Sequence, residues 1–63
     1  MKEYDEVELL KDLPEERLVK GQKGYILEIY NEQYCEVEFS DLNGTTVYLG
    51  ALPIEILKIV DKK

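Results

Sequence analysis

A chain of 63 residues carries eight Lys and Arg against fourteen Asp and Glu, a net charge of −6, with no histidine, no tryptophan and one cysteine. It is long enough for one domain, near the lower end of what folds unaided, and its 44% hydrophobic and 35% charged residues strike a globular balance. These counts exclude an intramolecular disulfide, a multi-thiolate metal site and chemistry built on imidazole, and the charge opposes nucleic acid, whose affinity for proteins comes largely from Lys and Arg on phosphates.

The opening Met1 to Glu6 is too acidic and polar for a secretory leader, and no apolar run approaches the roughly 20 residues of a membrane span. The expectation is a single cytoplasmic domain over 1–63 with no membrane partner. Val7 and Leu9 alternate with Glu6 and Glu8, which predicts a short first strand with one buried face. Within residues 10–24, Pro14 suits the start of a helical turn, with Glu15 and Glu16 near its positive end. Gly21 and Gly24 bracket the far side, and the stretch reads better as a long loop pinned by Leu13, Leu18 and Val19. Loops of that length are uncommon in a compact domain and often functional. Gly21-Gln22-Lys23-Gly24 is too short and too poor in glycine to cradle a phosphate and reads as a turn.

Tyr25 to Tyr30 is aromatic and β-branched, which predicts a second strand. Asn31, Glu32 and Gln33 make a tight connection. Tyr34 to Ser40 then alternates strictly, with Cys35, Val37 and Phe39 inward and Tyr34, Glu36 and Glu38 outward. Asp41 to Gly44 supplies turn chemistry, since Asn43 and Gly44 tolerate positive φ. Thr45 to Leu49 is predicted as the hairpin partner, with Val47 and Leu49 inward. Gly50 to Pro53 is expected to interrupt pairing, because proline cannot donate to a ladder. The spacing of Glu55 and Lys58 predicts a 3-10 turn before a short closing strand over Leu57 to Val60, and Asp61, Lys62 and Lys63 read as a frayed end. The fold class is all-β: four to five short antiparallel strands making a small barrel or folded sheet.

The run Val19 to Tyr30 resembles the opening of an SH3-like barrel, a glycine-marked loop followed by a bent apolar strand. Cys35 to Asp41 is similar to that fold's hairpin arm, Asn43-Gly44 to its turn, and Leu52 to Leu57 to the 3-10 element before its last strand. Over nearly the whole chain, the sequence is similar to a small bacterial family catalogued as domain of unknown function 4926. That likeness includes Asp12-Leu13-Pro14-Glu15-Glu16 and Ala51-Leu52-Pro53-Ile54-Glu55-Ile56-Leu57. It implies the SH3-like fold and carries no catalytic or binding residue with it. RNA-binding relatives of the fold use basic loops where this chain has carboxylates. Peptide-binding SH3 domains use a tryptophan that this chain lacks.

No catalytic, cofactor-binding or metal-ligating residue is expected. Glu28, Glu36 and Glu38 are predicted on outward faces of adjacent strands, as an acidic stripe. Paired carboxylates hydrolyse glycosides only with a cleft and one raised pKa, for which so small a fold has little room. The stripe therefore reads as a solvated face or as a patch for a partner. Tyr25, Tyr34 and Tyr48 share one outer surface if Tyr48 points opposite Val47 and Leu49. They read either as ordinary cross-strand pairs or as interface anchors. Tyr4 and Tyr30 suit strand-end packing. Cys35, between inward positions, reads as a small core residue rather than a nucleophile.

The functional expectation is a non-enzymatic protein-interaction module, monomeric or weakly dimeric. It meets a basic partner protein through an acidic face bearing Tyr25, Glu28, Tyr34, Glu36, Glu38 and Tyr48. An antitoxin- or immunity-like inhibitor is its most concrete form. The alternative is an accessory subunit docking on a larger enzyme complex, as SH3-like chains of nitrile hydratase and photosystem I do.

Overall fold

The computed structural model describes residues 1–60, so the frayed end expected at Asp61 to Lys63 lies outside the described residues. Five strands alternate with turns: β1 (Glu6–Leu9), β2 (Lys23–Ile29), β3 (Tyr34–Ser40), β4 (Thr46–Pro53) and β5 (Leu57–Ile59). Two 3-10 turns cover Pro14–Glu16 and Ile54–Ile56. All pairings are antiparallel and belong to one sheet, in the order β4-β3-β2-β1-β5. The fold is all-β, as the alternation of the sequence predicts.

One face of the sheet and the loop folded over it make the core. Val7 and Leu9 of β1, Ile26 of β2, Cys35, Val37 and Phe39 of β3, Leu52 of β4 and Leu57 of β5 are buried there. Each strand except the short β5 contributes at alternate positions, because successive side chains of a strand leave on opposite faces. The loop after β1 adds Leu18, which is also buried, while Leu13 packs against the cluster. Leu13 and Leu18 hydrogen-bond to each other through their backbones across the Pro14–Glu16 turn. Val19, expected as a third pin, is 60% exposed; one buried and one half-buried leucine suffice to seat the loop. The loop ends at Gln22. Gly21 takes the positive φ of its turn, and Gly24, expected in the same turn, lies inside β2. A Cβ on Gly24 would come within 2.5 Å of the Glu38 carbonyl oxygen and 2.8 Å of the Phe39 ring. Glycine is needed there for close approach rather than for a turn.

The β3–β4 hairpin corrects the expected facing of its second strand. Val47 and Leu49 are 46% and 57% exposed, while Tyr48 turns inward, opposite Phe39. A bulge between Phe39 and Ser40 shifts the register by one residue, and such a slip reverses every side chain beyond it. Gly50 makes the inward tyrosine possible. The Tyr48 hydroxyl would stand 2.9 Å from a Cβ at Gly50, and it donates a hydrogen bond to the Ala51 carbonyl. Burial and the nearby Glu16 carboxylate raise the Tyr48 pKa, burial being the larger cause.

Pairing also continues past Gly50, where an interruption was expected. Ala51 pairs with Glu36, Leu52 with Cys35 and Pro53 with Tyr34. Proline is tolerated because β4 is an edge strand and Pro53 its last residue. The Ile54–Ile56 turn and β5 follow where the sequence places them. At the hairpin tip, Asp41 accepts hydrogen bonds from the backbone N–H groups of Asn43 and Thr45, and only Gly44 adopts positive φ.

Candidate functional site

The outer face of the sheet gathers most of the singled-out residues, and the register sets their order. One row crosses four strands as Glu6, Tyr25, Glu38 and Leu49. A second row holds Glu28, Glu36 and Ala51, and a third pairs Tyr34 with Pro53 at the end of the sheet. The bulge in β2 between Ile26 and Glu28 absorbs Leu27 and returns Glu28 to the outward side, directly across from Glu36. Five of the six expected face residues therefore share this surface: Tyr25, Glu28, Tyr34, Glu36 and Glu38. Tyr48 does not, because it belongs to the core side. Leu49 takes its place outside and adds apolar area beside Glu38.

Tyr30 and Thr46 are site residues that the sequence reading missed. The Tyr30 hydroxyl donates a hydrogen bond to Glu36 Oε1, and the Thr46 hydroxyl donates one to Glu38 Oε2. Tyr30 was expected only as strand-end packing; it is half exposed and belongs to the acidic face. Tyr4, given the same expected role, is also exposed and lies in the positive-φ region. The missed signal for Tyr30 is spacing, since the three-residue connection Asn31–Gln33 brings the end of β2 back beside Glu36. The carboxylates of Glu36 and Glu38 are thus held by hydroxyls, which orient them without neutralising them.

The charge of this face shows in Tyr30, whose phenol is pushed up from 10.0 to about 12. The hydrogen bond to Glu36 is the largest cause, followed by lost hydration and by the charges of Glu36 and Glu28. The folded pKa lies above the unfolded one, so stabilisation from this contact is complete below about pH 10 and vanishes as pH rises through about 12. Absorbance titration of tyrosinate should resolve late-titrating phenols, Tyr30 among them, and Glu36→Gln should bring the Tyr30 phenol back toward 10.0. A titration curve that Glu36→Gln leaves unchanged contradicts the arrangement.

Among the described residues, no three His, Cys, Asp or Glu side chains are grouped so as to hold a metal ion. No helix among the described residues is long and apolar enough to cross a membrane. Cys35 is fully buried, and burial raises its pKa, which holds the thiol protonated and away from reagents. The expectation of a core cysteine stands.

The chain belongs to the family described as Domain of unknown function (DUF4926), whose model matches residues 3–59. That range covers all five strands and the whole outer face. No curated protein and no solved structure matches the chain.

Proposed function

We propose that this domain is a non-enzymatic interaction module that binds a basic partner protein through the outer face of β2 and β3. The observation that carries the reading is Glu28 directly across from Glu36, with Glu38 one step along the same face. Like charges opposite one another in a sheet are destabilising. A 63-residue domain has on the order of 3–9 kcal/mol of net stability to set against such repulsion.

Two ordinary explanations of the charges fail on position. Charges that guard against edge-to-edge pairing belong on edge strands, yet β2 and β3 are interior strands, the edge strand β4 carries no charge, and the other edge strand, β5, carries Lys58 rather than a carboxylate. Solubility is served as well by the exposed carboxylates of the loops, such as Asp12, Glu15 and Glu32. A cationic partner surface, by contrast, turns the repulsion into binding free energy and speeds encounter. Tyr25 and Leu49 in the adjoining row supply the apolar contact that charge alone lacks.

The strand order, the long loop after β1 and the 3-10 turn before β5 support an SH3-like barrel as the scaffold. Occlusion of a cationic site on the partner, as an antitoxin- or immunity-like inhibitor does, is the mechanism we favour. A cytoplasmic setting is part of the same reading.

Affinity capture from the native host's lysate tests the reading. One stoichiometric basic partner is expected at low salt. It should be released near 1 M salt, where the Debye length falls to about 3 Å. A large complex that resists that salt would argue instead for an accessory subunit, and capture of no partner would remove the support for either.

A further inference from the structure

A hollow of about 440 Å³ opens where the third row of the face ends, lined by Glu32, Gln33, Tyr34, Pro53, Ile54 and Glu55. Its walls come from three elements: the β2–β3 turn, the junction of that turn with β3, and the end of β4 running into the second 3-10 turn. Backbone hydrogen bonds fix them relative to one another. The Ile54 N–H donates to the Gln33 carbonyl, and the Asn31 side-chain oxygen accepts from the N–H groups of Gln33 and Tyr34. The hollow is therefore pre-formed, and binding in it requires little ordering.

Its chemistry is one-sided. Tyr34, Pro53 and Ile54 supply aromatic and aliphatic surface, Glu32 and Glu55 supply two carboxylates, and no lining residue is cationic. An aromatic ring beside carboxylates suits a cation on an apolar stem, because the ring face attracts the charge and the stem covers apolar surface. A guanidinium suits it better than an ammonium, being planar, weakly hydrated and able to stack.

We propose that this hollow receives an arginine side chain from an extended basic segment of the partner, held on Tyr34 between Glu32 and Glu55. The inference rests on the basic-partner reading above and gives it an anchoring point. The hollow adjoins the Tyr34–Pro53 row, so one extended segment seated there continues along the face toward Glu36 and Glu28.

The test is a chemical-shift titration of the ¹⁵N-labelled chain with a capped hexapeptide carrying one arginine between leucines. A second peptide has citrulline in its place, which keeps the shape and removes the charge. Saturable shifts are expected at Gln33, Tyr34, Ile54 and Glu55, about fivefold weaker with citrulline. Tyr34→Ala should abolish them. Should that variant fail to fold, Glu32→Gln with Glu55→Gln changes only exposed turn positions and should weaken binding by a similar factor.

Shifts at the hollow without any along Glu28, Glu36 and Glu38 uphold the arginine site, because the uncharged leucine flanks give the acidic face nothing to bind and the wider face is tested by the capture experiment. Shifts only along those three residues overturn the site while leaving the face reading intact. Equal binding of the citrulline peptide, or no saturable shift anywhere, overturns the site as well.

Discussion

Replacing Phe39 by alanine should cost about 3–5 kcal/mol and leave much of the population unfolded at 37 °C. The range is what removal of a buried phenylalanine costs in other cores, and here it meets a total of only about 3–9 kcal/mol. Phe39 is the largest of the fully buried side chains and the chain's one phenylalanine. Its ring lies over Gly24 on one side and meets Tyr48 on the other, with centroids 6.4 Å apart and planes tilted by 56°. Tilted pairs of this kind add about 0.5–1.5 kcal/mol beyond their buried area. Gly24 has no side chain to collapse into the space, and Tyr48 is tethered through its hydroxyl to Ala51. The cavity should therefore stay largely open, which places the cost toward the upper end. Urea unfolding followed by circular dichroism checks this. A loss under about 1.5 kcal/mol would mean that Phe39 does not hold β2 and β4 together as described. Phe39→Leu, which keeps most of the volume, should lose markedly less.

Much of this fold can be read from the residues, and the places where the reading stops have physical causes. The alternation of Cys35, Val37 and Phe39 identifies β3 and its buried side, because a strand with one wet face must repeat with period two. Leu57 and the 3-10 turn before it are equally plain. The second arm of the hairpin is not. Its facing depends on a bulge at Phe39 and Ser40, and bulges insert a residue without leaving a periodic mark. A clue does exist in Gly50, two residues after Tyr48, since a glycine on the inward side leaves space for a ring. Pro53 misled for a related reason: proline excludes a central strand, but it is harmless at the end of an edge strand, and strand order is not written in local sequence.

Glu36 and Glu38 of the acidic stripe were legible because they need only outward alternation along β3; Glu28 was legible only by its charge, since the bulge at Leu27 is what brings it to the outward side. Tyr30 and Thr46 were not, since their roles depend on which carboxylates the register brings within reach. The hollow beside Tyr34 was invisible for the same reason: Gln33 and Ile54 are 21 positions apart in sequence and meet through one backbone hydrogen bond.

The second large effect concerns binding, and it separates a local face from a merely acidic protein. Glu36→Lys with Glu38→Lys should weaken capture of the basic partner by at least about tenfold. Folding should survive, since a cation opposite Glu28 replaces a like-charge pair by an opposite one. The matched control is Glu15→Lys with Glu16→Lys, on the exposed 3-10 turn of the loop that covers the other face. Both variants move the net charge from −6 to −2, because each replacement adds two units.

The most direct measurement is a side-by-side capture at low salt with the wild-type chain and these two double variants, each first shown to unfold with a normal transition. Loss of the partner from the β3 variant alone is the predicted result. Equal retention by both variants, or equal loss from both, would contradict recognition through the outer face of β2 and β3.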